Sequence, residues 1–143
     1  MDIFNFLEAD AARIAQRLTE TGKNYSIWTR DRVFEEAKNL FQSIKDHFAK
    51  VAILENNLKN PEGLKDILSQ FNTQRDSITS DVEHIVEIHV DEPGFEQAFE
   101  QIAKKFTQFA QYSKQTFFPT IKKNLSEEDL KQIQQQIDQK VLS

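Results

Sequence analysis

Cysteine is missing from this chain of 143 residues. Its absence excludes disulfides, zinc–thiolate sites, iron–sulfur clusters and a thiol nucleophile, and it is compatible with a reducing compartment. Glycine and proline are also scarce, at three residues each. The scattered glycines exclude a glycine-rich phosphate-binding loop.

Long apolar runs are absent as well. The start of the chain, MDIFNFLEADAA, has no basic segment, apolar core or small-residue cleavage site, so we expect no signal peptide. No run approaches the roughly 20 apolar residues that span a bilayer. The net charge is −5, with acids and bases interleaved, and no basic face carries the aromatics typical of nucleic-acid binding. We therefore expect a cytoplasmic protein that binds neither membranes nor nucleic acid.

Apolar residues at helical spacing dominate what is present, and no β-type alternation is sustained. Short connections between long helices favour antiparallel neighbours. The sequence predicts an all-α fold, an up-down-up-down antiparallel four-helix bundle with a short extra C-terminal helix, in one domain spanning residues 1–143. The predicted helices cover about residues 2–21, 30–56, 61–89 and 95–118, and a last one begins at Ser126.

Local signals predict several helix ends. Asn60 and Pro61 have the pattern of a cap followed by a first-turn proline. Ser126 and Asp129 have capping-box spacing at the last helix. Pro119 is the one proline inside a helical pattern, and we expect it to kink or end the fourth helix, because it lacks an amide hydrogen.

A single histidine, His47, interrupts the apolar stripe of the second helix. We expect a core histidine that is hydrogen-bonded to a neighbour, because an unpaired buried polar group costs about 1–3 kcal/mol. The chain also has 12 phenylalanines, which we expect to fill the core.

Three motifs resemble one known family. They are LxxDAxxI from Leu7, RxxVFxxAxxL from Arg30 with DHFAK following at Asp46, and FFPxIKKNLSEEDL from Phe117. Together they are similar to the hemerythrin-like (HHE cation-binding) domain. The resemblance implies a four-helix bundle that holds two bridged iron ions between histidines and carboxylates, for oxygen binding, sensing or related redox roles.

The family's ligands are mostly replaced in this chain. Where the family has Asp-His in the first helix, Asp10 is followed by Ala11. His47 matches the histidine of the second helix, but Val51 occupies the position of the glutamate that follows it. In the third helix the matching positions are Arg75 and Thr79, and in the fourth they are Phe109, Ser113 and Lys114.

These replacements predict a domain without metal or cofactor. A two-iron centre needs several imidazoles and bridging carboxylates at one level of the bundle, and Arg75 would add a positive charge there. We expect Arg75 to bridge neighbouring helices instead, with Asp10 and Asp46 as candidate counter-charges. The residual polar residues of this core site are His47, Arg75, Ser113 and Asp10.

No catalytic arrangement is recognisable, since serine, histidine and carboxylate residues share no known frame. The leading hypothesis is a non-enzymatic, metal-free bundle acting as a protein-interaction, regulatory or structural module, with a protein partner or a homodimer left open. One alternative is a small-molecule or gas-responsive domain using a residual cavity near His47. Another is a true di-iron protein. We expect Tyr25, Ile27 and Trp28 to cover one end of the bundle, with an interface as the alternative use.

Overall fold

All secondary structure in the part of the chain that the computed structural model describes, residues 2–59 and 61–142, is helical, with no strand in those ranges. Asn60, the predicted cap ahead of Pro61, lies outside the described residues. None of the described helices has the length and apolarity to cross a membrane. The elements in chain order are α1 (Ile3–Lys23), α2 (Arg30–Asn56), a 3₁₀ turn (Pro61–Leu64), α3 (Lys65–Ile85), α4 (Pro93–Tyr112), a π turn (Ser113–Phe117), α5 (Phe118–Lys122) and α6 (Glu127–Leu142).

Side-chain caps begin three of the helices, α1, α2 and α6. The Asp2 carboxylate accepts a hydrogen bond from the amide of Phe4 at the start of α1, at 2.9 Å. The Thr29 hydroxyl accepts one from Arg32 at the start of α2. At α6 the predicted capping box is present, because Ser126 and Asp129 each accept a hydrogen bond from the other's amide, at 3.1 and 2.9 Å. These bonds satisfy amides that have no partner within the helix.

Two helix ends differ from the sequence prediction. α1 runs through Gly22 to Lys23, and α3 ends at Ile85 instead of continuing to His89. Beyond Ile85 the chain turns so that Val90 is buried and its carbonyl accepts a hydrogen bond from the Tyr25 hydroxyl at 2.6 Å. This tertiary bond, and the burial of Val90, outweigh the helical periodicity of the segment.

Polar contacts give the relative directions of α1 and α2. Arg17, late in α1, pairs with Glu36, early in α2, at 2.8 Å, whereas the earlier Asp10 contacts the later His47. The two helices therefore run in opposite directions.

The phenylalanines give the directions of the other long helices. Phe41 and Phe48 of α2 contact Phe99 and Phe106 of α4, so α2 and α4 run the same way. α3 runs opposite to α4, since Phe71 contacts Phe109 while the later Asp81 pairs with the earlier Lys105. The shared core lies between these four helices and is rich in fully buried rings, which are Phe71, Phe106, Phe109, Phe117 and Phe118.

Pro119 does not end the helical structure, which continues to Lys122. A π turn precedes it, in which the Phe118 amide donates to the carbonyl of Ser113, five residues back. The proline then lies in the first turn of α5, where a missing amide is tolerated. The additional residue in the turn lets Phe117 and Phe118 both enter the core, and both are buried.

The predicted C-terminal helix packs beside α2. Ile133 and Ile137 form its buried side. Asn57, the C-cap of α2, donates a hydrogen bond to Gln136 at 3.0 Å.

Candidate functional site

A buried carboxylate–imidazole pair joins α1 to α2. His47 has no exposed surface, and its Nδ1 lies 2.8 Å from Oδ2 of Asp10, which is also buried. Since an ionised carboxylate can only accept hydrogen bonds, the hydrogen must be on Nδ1. The structure therefore agrees with the prediction of a core histidine bonded to a neighbour, and it identifies the neighbour as Asp10.

Two cations also reach the Asp10 carboxylate. Arg13 donates to Oδ1 at 2.6 Å from the neighbouring turn of α1, and Lys50 lies 3.7 Å from Oδ2. Burial acts to raise the pKa of Asp10, but the hydrogen bond and charge of His47, together with Lys50 and Arg13, outweigh it. The pKa of Asp10 is therefore below its ordinary value, and the carboxylate is ionised at neutral pH.

The second ring nitrogen of His47 has no hydrogen-bond partner among the described residues, although it is buried. Three aromatic rings lie around the imidazole, with centroids 6.0 to 6.3 Å from its own: Phe48, Phe106 and Phe109. Phe106 and Phe109 meet it edge to face. With the Nδ1 hydrogen directed at Asp10, the ring has a second polar atom, Nε2, that no described polar group satisfies.

Arg75 does not contact either of its predicted counter-charges, and that prediction is wrong. Its guanidinium donates to Glu55 of α2 and to Asn72 of its own helix. Asp10 is occupied by His47, and Asp46 is exposed and accepts from Gln42. Arg75 does bridge neighbouring helices, from α3 to α2, as the sequence predicts.

Arg75 also lies away from the histidine. Glu55 follows His47 by eight residues, which corresponds to about 12 Å along an α-helix. The guanidinium lies over the ring of Phe71, 5.5 Å from its centroid, and Phe71 in turn packs on Phe109. Aromatic rings thus separate the Arg75–Glu55 pair from His47.

Ser113 is buried in the π turn, and its hydroxyl donates to the carbonyl of Phe109 at 2.9 Å. Its hydrogen is therefore used within its own helix. Of the four predicted polar residues, the structure brings only Asp10 and His47 together.

Sequence patterns did not single out the other ionic residues around Asp10 and Arg75, which are Arg13, Lys50 and Glu55. Arg13 and Lys50 each follow a predicted residue by three positions, a spacing that places side chains on one helix face. That spacing is a signal that could have identified them. Glu55 has no such signal, because its contact depends on how α2 and α3 are rotated against each other.

The residues at the implied metal level do not fit a two-metal centre. Ala11, Val51 and Phe109 are buried hydrocarbon, and both Asp10 oxygens already have partners. Within residues 2–59 and 61–142 no group of three or more histidine, aspartate or glutamate side chains is placed to hold a metal ion. The arrangement offers one imidazole and one carboxylate, which bind each other.

Comparison with family models, with curated proteins and with solved structures finds no match to this chain.

Proposed function

We propose that the chain is a metal-free, non-enzymatic hemerythrin-like bundle whose four long helices run up-down-up-down and which acts as a protein-interaction, regulatory or structural module. The directions of the helix pairs support this topology. The main observation behind the function is the interior around His47, where the imidazole is hydrogen-bonded to the Asp10 carboxylate and surrounded by aromatic rings. Since no metal-binding group of side chains converges there among residues 2–59 and 61–142, we assign the function to the surface.

Iron content tests the metal-free part of this proposal. The protein is expressed in iron-supplemented medium, purified without chelator, and analysed by plasma mass spectrometry and near-ultraviolet absorbance. We expect far less than one iron ion per chain and no charge-transfer band. About two iron ions per chain, the complement of di-iron bundles, would refute the proposal.

A matched pair of variants separates core binding from surface binding of iron. His47→Ala removes the buried imidazole, and His84→Ala removes an exposed one at the end of α3. Iron lost only in His47→Ala would place a metal in the core. If traces of iron are lost only in His84→Ala, or in neither variant, that iron is not bound in the core.

The unpartnered Nε2 of His47 favours a second candidate, a small-molecule binding domain. A neutral ligand with an apolar body and one hydroxyl would hydrogen-bond to this nitrogen and pack against the surrounding rings. Phenol is a suitable probe, and the readout is the nuclear magnetic resonance signals of the Phe106 and Phe109 rings, which lie against the imidazole and remain in a His47 variant. A saturable shift that His47→Leu abolishes would favour this candidate, and an unchanged spectrum would remove it.

A further inference from the structure

Exposed apolar side chains are concentrated at one end of the molecule. Among residues 2–59 and 61–140, whose side chains the structure describes, the large hydrophobic side chains that remain exposed are Ile27, Phe34 and Val86, at 75%, 51% and 69%. Ile27 lies in the α1–α2 loop, Phe34 in the first turns of α2, and Val86 at the end of α3. The Tyr25–Val90 hydrogen bond holds the α1–α2 and α3–α4 loops together at this end.

Phe34 and Val86 line one open groove. The groove lies between the start of α2 and the segment that connects α3 to α4, and its volume is about 440 Å³, room for several side chains. We call it the Phe34–Val86 groove. Ile27 does not line it. Exposed apolar side chains that share a concave surface are typical of a protein contact site, whereas single ones are ordinary.

The groove is acidic. Four carboxylates line it, Asp31, Glu87, Asp91 and Glu92, against one guanidinium, Arg30. Arg30 is already engaged, because it donates to the carbonyl of Tyr25, lies 4.0 Å over the Tyr25 ring and is 3.7 Å from Asp91. An incoming segment therefore meets apolar surface with excess negative charge around it.

We propose that the Phe34–Val86 groove binds an amphipathic helical segment of a partner protein, with apolar residues on one face and lysine or arginine beside them. The apolar face covers Phe34 and Val86, and the basic side chains pair with carboxylates such as Glu87 and Asp31. Charge complementarity selects this occupant over a second copy of the chain, because two copies would bring their acidic rims together. This inference rests on the proposed function and names the surface and the partner for it.

The test uses the full chain and a labelled helical peptide of about 18 leucine and lysine residues, with leucines at i, i+3 and i+4 spacing. Fluorescence anisotropy measures its affinity. We expect saturable micromolar binding that weakens as salt is raised, because the paired charges are exposed. A peptide with glutamate in place of lysine, and one with the leucines out of helical register, should both fail to bind.

Variants locate the binding on the surface. Phe34→Ser with Val86→Ser should weaken binding at least about tenfold, since central apolar anchors dominate interface energies. Ile27→Ser is the matched control, because it removes a more exposed apolar side chain from the same end but outside the groove, and it should change affinity by less than about twofold. Circular dichroism checks that each variant remains folded.

Charge variants test the acidic rim. Asp31→Asn with Glu87→Gln should weaken binding about tenfold and flatten its salt dependence. Asp46→Asn with Asp76→Asn removes the same charge from exposed positions away from the groove and should have little effect.

Three results would overturn the inference. They are no peptide binding, binding that survives Phe34→Ser with Val86→Ser, and a dimer by light scattering that these substitutions convert to a monomer. The third result would make a second copy the occupant. None of them bears on iron content, so failure of this inference is distinguishable from failure of the metal-free proposal.

Discussion

The Asp10–His47 pair gives the sharpest prediction for stability. Three variants are compared with the wild type: Asp10→Ala, His47→Leu and the double variant. Asp10→Ala leaves Nδ1 of His47 without an acceptor in addition to the unpartnered Nε2. Each orphaned polar group costs about 1–3 kcal/mol, and breaking a buried ion pair costs roughly 3–5 kcal/mol. We expect a loss of about 3 kcal/mol, the lower end of the range for a buried pair, because Arg13, one of the two cations beside Asp10, is exposed and can be hydrated when the carboxylate is removed.

His47→Leu should cost less than Asp10→Ala. Leucine suits a site surrounded by phenylalanine rings and removes the unpartnered Nε2, while Arg13 and Lys50 remain to pair with Asp10. In the double variant both polar groups are gone. Apolar replacement of a complete buried pair is often neutral or stabilising. The loss of unfolding free energy in the double variant should therefore be about 2 kcal/mol smaller than the sum of the losses in the two single variants.

Urea unfolding at pH 7 measures these free energies. Trp28 is the only tryptophan and is half-buried against the core, so its fluorescence reports unfolding, with far-ultraviolet circular dichroism as a second probe. Coincident transitions and equal m-values are the control that each variant unfolds in two states. If the losses of the two single variants sum to the loss of the double variant within about 0.5 kcal/mol, the pairing is refuted.

The pH dependence gives an independent check on the same pair. Because the pKa of Asp10 is lower in the folded protein, the folded state binds fewer protons at this carboxyl than the unfolded state. Its contribution to stability is present above about pH 3.9, the ordinary pKa of aspartate, and is lost as the pH falls through the lower folded pKa. Asp10→Asn should lose this part of the acid sensitivity, and an unchanged profile would contradict the assignment.

Three further substitutions test contacts elsewhere in the molecule. Arg75→Met should lower the free energy of unfolding by about 1–2 kcal/mol, a value reduced to allow for the partial exposure of the pair. Adding Glu55→Leu should recover most of that loss. If urea unfolding shows that the losses of the two single variants simply add, Arg75 and Glu55 do not stabilise each other. Ser126→Ala removes the cap of α6 and should lower the free energy of unfolding by about 1 kcal/mol. The measurement is a lower melting temperature, and an unchanged one would mean that the cap does not stabilise the fold. Tyr25→Phe deletes the buried hydrogen bond to Val90 and should cost about 1 kcal/mol, with faster amide exchange in the α3–α4 connection; unchanged exchange would show that the bond does not hold this loop.

Local sequence signals predicted much of the helical structure. The boundaries of α2, Arg30 and Asn56, agree with its apolar stripe, and the burial of His47 follows from its place on that stripe. The α6 capping box depends on two residues three apart, so it could also be predicted. Each of these features is decided within a few turns of one helix.

The specific contacts between helices were not predicted. Arg75 has many carboxylates within plausible reach, and only the rotation of α3 against α2 selects Glu55. The π turn before Pro119 reflects the burial of both Phe117 and Phe118, which no local pattern specifies. Sequence periodicity says which face of a helix is buried, but not which residue of another helix it meets.

The buried pair also sets how α1 lies along α2. Hydrocarbon faces tolerate sliding, because one apolar contact replaces another at little cost. A slide by one turn, about 5.4 Å, would separate Asp10 from His47 and leave a carboxylate and an imidazole buried without partners. The Arg17–Glu36 pair, nearer the α1–α2 loop, favours the same alignment. Since α2 carries Phe34 and the α1–α2 loop is bonded to Val90, this alignment also positions the two walls of the Phe34–Val86 groove.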